Sequence, residues 1–89
     1  MYEQTVVVTN KSGLHARPAA QFAAEARKHA SKVTVVNMAS GKAADAKSII
    51  KVLTLGITAG TEITVRAEGE DEKAAVDDVV ALVKSGCGE

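Results

Sequence analysis

Apolar positions along the chain change their period several times, and each change marks an element. The stretch "YEQTVVVTN", Tyr2 to Asn10, is rich in β-branched residues and predicts a strand. "KSG" follows as a turn signal. From Pro18 the period becomes helical. Ala19, Phe22, Ala23, Ala26 and Ala30 form one stripe, while Glu25, Arg27 and Lys28 fall largely off it. The small stripe residues allow this helix to lie close to a sheet. "KVTVVN", Lys32 to Asn37, predicts a second strand, and Ser40-Gly41 a turn. A short third strand, Lys42 to Asp45, pairs back as a hairpin.

"SIIKVLTLG" predicts a short helix with Ser48 as its N-cap and Gly56 as its stop, although Ile and Val also suit a strand. "AGTEITVRAEG" holds a turn and a fourth strand, Glu62 to Glu68. In "EDEKAAVDDVVALVKSG" the residues Ala75, Val76, Val79, Val80 and Val83 form the buried stripe of a last helix. Asp71 is its expected N-cap, Glu70 and Glu72 suit the positive helix start, and Lys84 and Gly86 mark its end. The order β-α-β-β-α-β-α implies an α+β open-faced sandwich, with an antiparallel or mixed sheet and the helices layered on one face.

Composition narrows the options. The chain has 89 residues and no repeat or low-complexity segment, so one domain spanning 1–89 is expected. Tyr2 and Phe22 are the only aromatic residues, which leaves the core to Val, Ile, Leu and Ala. Eleven basic residues balance eleven acidic ones. A nucleic-acid binder usually carries a basic excess or stacking aromatics, and this chain has neither. No basic segment precedes an apolar run at the start, and no run approaches the ~20 residues needed to span a bilayer. A cytoplasmic location without membrane insertion is expected. Cys87 is the sole cysteine; in the tail "SGCGE" it reads as a solvated or weakly ordered thiol.

The chemistry concentrates in "KSGLHARPAAQF", Lys11 to Phe22. Proline is favoured in the first helical turn, so Pro18 puts a helix start within a residue or two of His15. The first-turn N–H groups lack partners and carry the positive end of the helix dipole, a ready anion site. Gly13 permits close backbone approach, and Arg17 adds a permanent cation that forks onto phosphate oxygens. These parts suit an imidazole that attacks phosphorus, but they also fit a loop histidine used as a cap or left in solvent. No metal site is expected: His29, the only other histidine, falls three to four turns away at about 5.4 Å per turn. It reads as a solvated residue near a helix end. No serine-histidine-acid constellation is visible around Ser12.

"GLHARPAAQF", taken with "AKSIIKVLTLGITAGTEITVRAEGEDE", resembles the HPr family, the histidine-containing phosphocarriers of the bacterial phosphoenolpyruvate:sugar phosphotransferase system. The resemblance runs from Tyr2 to about Val83. It implies a four-stranded antiparallel sheet with three helices on one face. It also implies phosphorylation of His15 on Nδ1, with Arg17 as the active-site arginine and Ala16, Arg17 and Pro18 stabilising the phosphate. Enzyme I would supply the phosphoryl group, and IIA domains of sugar transporters would receive it. Such a protein is a carrier rather than a turnover enzyme; it is expected to be monomeric and to need no cofactor.

Ser48 matches the family's regulatory serine, the target of an HPr kinase/phosphorylase in some bacteria, although a serine at a helix start is also an ordinary cap. Family position makes Ala20, Arg27, Ile49, Ile50, Lys51 and Leu53 contributors to a partner-docking patch. The turn around Met38 to Ser40 is slightly longer than the family pattern. Two other readings remain: the nitrogen-related paralogue with regulatory partners, and a small regulatory or metal-binding module. A copper carrier would want a Cys-x-x-Cys loop, which is absent.

Overall fold

In the computed structural model, which describes residues 1–87, the chain folds in the order β1 (Tyr2–Val7), α1 (Ala16–Arg27), β2 (Lys32–Asn37), β3 (Ala43–Asp45), α2 (Ile49–Leu53), β4 (Glu62–Glu68) and α3 (Glu72–Lys84). The strands form one sheet in the order β1-β4-β2-β3, and every neighbouring pair is antiparallel. β4 is the central partner: Val65 stands opposite Gln4 of β1 and Val35 of β2.

Alternation sets the two faces of this sheet. Val33, Val35, Ile63 and Val65 are fully buried beneath the helices, while their neighbours Lys32, Glu62 and Glu68 are exposed. On the open face Thr5 and Thr64 share a hydroxyl hydrogen bond of 2.9 Å across β1 and β4. α1 buries Ala19, Phe22, Ala23 and Ala26, and α3 buries Ala75, Val76, Val79, Val80 and Val83. Phe22 is wholly enclosed; its burial contributes roughly 1.5–3 kcal/mol. Among the described residues no helix is long and apolar enough to cross a membrane.

Several boundaries differ from the sequence expectation. β1 ends at Val7 rather than Asn10, because Asn10 turns inward to serve the next loop. β3 begins at Ala43 rather than Lys42, whose carbonyl instead closes the hairpin by accepting from Asn37 N–H at 2.8 Å. The long tip beyond Asn37 is held locally: Asn37 Oδ1 accepts from the Ala39 N–H at 2.9 Å, and its amide donates to the Leu55 carbonyl at 2.8 Å. Ala30 lies beyond the end of α1 and is exposed, so the apolar stripe stops at Ala26.

Cys87 is fully buried, contrary to its expected place in solvent. The physical reason is the α3 C-terminus. Gly86 has φ +88°, its N–H donates to the Val83 carbonyl at 3.1 Å, and the Cys87 N–H donates to the Leu82 carbonyl at 3.0 Å. That pair is a Schellman motif, which folds the following residue back over the last turn.

Asp71 takes its expected place at the N-cap of α3 but not the capping bond that goes with it. Its carboxylate instead crosses to the α1–β2 connection and accepts from the Ser31 hydroxyl, from the Ser31 N–H at 2.9 Å and from the Ala30 N–H at 3.1 Å. His29 Nδ1 adds a fourth contact at 3.2 Å. The Ser31 hydroxyl first, then the backbone donors and His29, hold this carboxyl well below the usual carboxylate range against a smaller opposing effect of burial.

The sign of the linkage follows. A carboxyl with a folded-state pKa below its unfolded value stabilises above about pH 4 and loses that contribution as the pH falls. Asp71→Asn is expected to lower stability at neutral pH and to flatten the acid side of the stability–pH curve. Urea unfolding between pH 7 and pH 3 checks this; an equally steep acid limb in the variant would contradict it.

Candidate functional site

The loop between β1 and α1 rests on one close approach. Gly13 has φ +61°, and a Cβ on it would lie 2.4 Å from the Ile57 carbonyl oxygen and 2.7 Å from Thr58 Cα. Both neighbours are backbone, so no side-chain rotation makes room. The Leu14 N–H donates to that Ile57 carbonyl at 3.0 Å, and the Leu14 side chain is fully buried. Asn10 closes the loop from below: its side-chain amide donates to the Gly13 carbonyl at 2.6 Å. With Leu14 anchored inward, the next residue, His15, emerges exposed.

His15 is the N-cap residue of α1, with extended backbone (φ −122°, ψ 154°) and no capping bond from its side chain. α1 starts at Ala16, two residues before the proline that predicted it. Pro18 is buried at the third helical position, where its missing N–H breaks no intrahelical bond. His15 stands at the end of α1 where the first-turn N–H groups have no intrahelical partner. Ala16 has φ +50°, a left-handed conformation that costs an L-residue roughly 1–2 kcal/mol. Arg17 is exposed. Among the described residues neither the His15 imidazole nor the Arg17 guanidinium makes a hydrogen bond or ion pair. The surface depression lined by Thr9, Asn10, Lys11, Lys84, Ser85 and Gly86 includes neither of them, so the histidine stands on an open surface.

The geometry therefore offers an accessible imidazole, orphan N–H donors and a cation in adjacent residues. It can take up an anionic group and give it back without opening a cavity. These comparisons with known proteins agree. The family described as "PTS HPr component phosphorylation site" matches residues 2–85. The chain belongs to the HPr family. The phosphocarrier proteins HPr of Haemophilus influenzae and Vibrio cholerae are each 48% identical to it over 83 residues, covering 93% of this chain and 95% of theirs. The crystal structure of HPr-C-His from Thermoanaerobacter tengcongensis superposes with a TM-score of 0.94 at 42% identity, covering all of this chain and 98% of that one. The fold is thus that of HPr, and the chain is a phosphocarrier of the phosphotransferase system.

The remaining residues expected from HPr resemblance sit mainly around α2. Ser48 caps it, its hydroxyl accepting from the Lys51 N–H at 3.3 Å. Ile50 is 75% exposed, Leu53 37% exposed and Ile49 half-buried, with Lys51 exposed beside them. Ala20 is half-buried on α1, which packs against α2. Arg27 is at the far end of α1, where its Nε donates to the Lys47 carbonyl at 2.8 Å. Arg27 therefore braces α1 against the segment leading into α2.

Three features escaped the sequence reading. Asn10 fastens the loop, and an Asn just before "KSG" was a usable turn signal. The left-handed Ala16 had no signal, since alanine rarely marks such a position. His29 is not solvated: its side chain is only 12% exposed and lies between Asp71 and Asp78.

Two backbone predictions follow. Gly13→Ala is expected to cost roughly 2–4 kcal/mol, combining left-handed strain with overpacking against backbone; chemical unfolding measures it. Ala16→Gly should leave stability unchanged or raise it by up to about 1 kcal/mol, whereas Ala24→Gly, exposed in mid-α1, should lower it by about 1 kcal/mol. Equal losses in both alanine variants would refute the strain at Ala16.

Proposed function

We propose that His15 accepts a phosphoryl group on Nδ1 from phosphorylated enzyme I and passes it to the IIA domains of sugar transporters. The observation that carries this reading is the uncovered His15 side chain at the start of α1, next to the uncovered Arg17. The unprotonated Nδ1 lone pair attacks phosphorus, the bond from phosphorus to the donor breaks, and the new N–P bond forms. Helix N–H groups and Arg17 then meet the added negative charge. Ala16 and Pro18 contribute through the backbone that aims this turn.

An open site suits a relay. Each 1.4 kcal/mol of extra stabilisation of the phosphohistidine shifts its transfer equilibrium tenfold, so a phosphate held too well would not move on. The reaction needs no cofactor, because each partner supplies the rest of the chemistry. In this reading one chain of residues 1–89 acts as a single carrier domain and as a monomer, in the cytoplasm where enzyme I operates.

Ala20, Ile49, Ile50, Lys51 and Leu53 form the docking surface, with Arg27 bracing it. Where a host has the HPr kinase/phosphorylase, a phosphate on Ser48 would put nearly two negative charges beside these apolar side chains and weaken docking.

Incubation with phosphoenolpyruvate and enzyme I is expected to give acid-labile phosphate on the chain, and His15→Ala should take up none. Label persisting in that variant would assign the acceptor elsewhere. Ile50→Ser should slow transfer to a sugar IIA domain about fivefold to tenfold while changing stability by less than about 0.5 kcal/mol. Faster transfer to a nitrogen-type IIA domain than to a sugar IIA domain would move the chain to the nitrogen-related branch.

A further inference from the structure

The two ends of α1 treat their histidines in opposite ways. His15 is bare, whereas His29, in the turn that closes α1, is clamped between the helix layers. Its Nδ1 lies 3.2 Å from Asp71 Oδ2, and its Nε2 lies 3.1 Å from Asp78 Oδ2 on α3. Asp71 already accepts from the Ser31 hydroxyl and two backbone N–H groups. An ionised carboxylate offers no proton, so Nδ1 carries the hydrogen and donates it to Asp71.

With the hydrogen on Nδ1, the other ring nitrogen, Nε2, faces Asp78. Nε2 is shielded from solvent and has no well-aligned hydrogen-bond partner among the described residues. A lone pair facing a carboxylate at that distance calls for a cation between them or a proton on the ring. Glu25, four residues before His29, supplies a further oxygen. One ligand atom from each of Glu25, His29 and Asp78 lies within 4.8 Å of the others.

We propose that Glu25, His29 and Asp78 form a binding site for a divalent transition metal of the zinc class. His29 Nε2 and one carboxylate oxygen from each acid are the protein ligands, and water completes the shell. Zinc binds nitrogen and oxygen donors at about 2.0–2.2 Å, which puts tetrahedral neighbours about 3.3 Å apart. The Nε2–Asp78 pair already has close to that spacing. Glu25 and Asp78 can close the rest by side-chain rotation, since Asp78 is 55% exposed. Among the described residues the Glu25 carboxylate pairs with Lys28, at 3.4 Å, and the lysine side chain is 67% exposed, so this pair yields readily.

The donor set also selects the ion. Imidazole with two carboxylates suits zinc, nickel or cobalt, while magnesium and calcium prefer all-oxygen shells. Asp71 is the positioning residue: a carboxylate on the far nitrogen fixes the ring and its tautomer, as in carboxylate–histidine–zinc arrangements. The metal would tie the end of α1 to α3, about 20 Å along the helix from His15 at 1.5 Å per residue.

The test is calorimetric titration of the full-length chain with zinc chloride, in a His15→Ala background that removes the other histidine. The expected result is saturable binding of one zinc per chain and a zinc-dependent rise in the thermal midpoint. His29→Gln and the exposed Asp78→Asn should each weaken binding at least tenfold. Asp71→Asn should weaken it tenfold to a hundredfold and shift the visible absorption of the cobalt-substituted protein, which a loss of stability alone does not move. No saturable binding, or equal affinity in His29→Gln and Asp78→Asn, overturns the proposal and leaves His29 as an imidazolium between two carboxylates.

Discussion

The contact between Gly13 and the backbone of Ile57 and Thr58 decides where α1 can begin. A side chain at residue 13 would meet backbone at 2.4 Å, so only glycine lets the β1–α1 loop settle there. Once it settles, Leu14 enters the core and donates to the Ile57 carbonyl, and His15 must face outward. The same Ile57 follows directly on α2 and its glycine exit at Gly56, which has φ +60°. One approach of two loops thus sets His15, the proposed phosphoryl acceptor, beside the helix that carries the exposed Ile50 and Leu53. His15 and the exposed face of α2 are therefore coupled through backbone.

Asp71 plays the matching part at the other end of α1. Its donors come from His29, Ala30 and Ser31, the residues that turn the chain from α1 into β2. A carboxylate at the start of α3 therefore fixes the exit of α1, just as Gly13 fixes its entrance. The two devices differ in exposure for a physical reason. Donors that converge on a carboxylate hold it ionised and rigid, which is useful for a joint. The acceptor proposed at His15 has to stay available, and His15 is left with no side-chain partner among the described residues.

Much of this was legible in the sequence because much of it is local. β-branched runs marked the strands, the alanine-rich stripe marked α1, and "GLHARP" marked the loop–helix junction and its histidine. Ser48 capped α2 as its position implied. Apart from Asn10, whose turn signal was local, the misses depended on partners distant in sequence or on backbone states that side-chain identity does not report. Asp71 looked like a cap, but Ser31 and its neighbours, forty residues earlier, compete for its carboxylate. His29 looked solvated because Asp71 and Asp78 arrive from α3. Cys87 looked like tail because the glycine before it was read as an end, although a left-handed glycine folds the next residue back over the helix.

The apolar surface of α2 is not a by-product of core building. A five-residue helix presents little more than one face inward, and here Val52 fills it, with Ile49 packed partly against the core. Polar residues at positions 50 and 53 would have satisfied the fold equally well, since Ile50 is three-quarters exposed and Leu53 more than one-third. Exposed apolar area gains about 25 cal/mol per Å² when it is covered, so these side chains hold back free energy that folding alone does not use. In the proposed relay, where His15 would meet two different partners in turn, that reserve favours brief contact with each. On that proposal two side chains are enough to guide docking and too little to hold a partner once the phosphoryl group has moved.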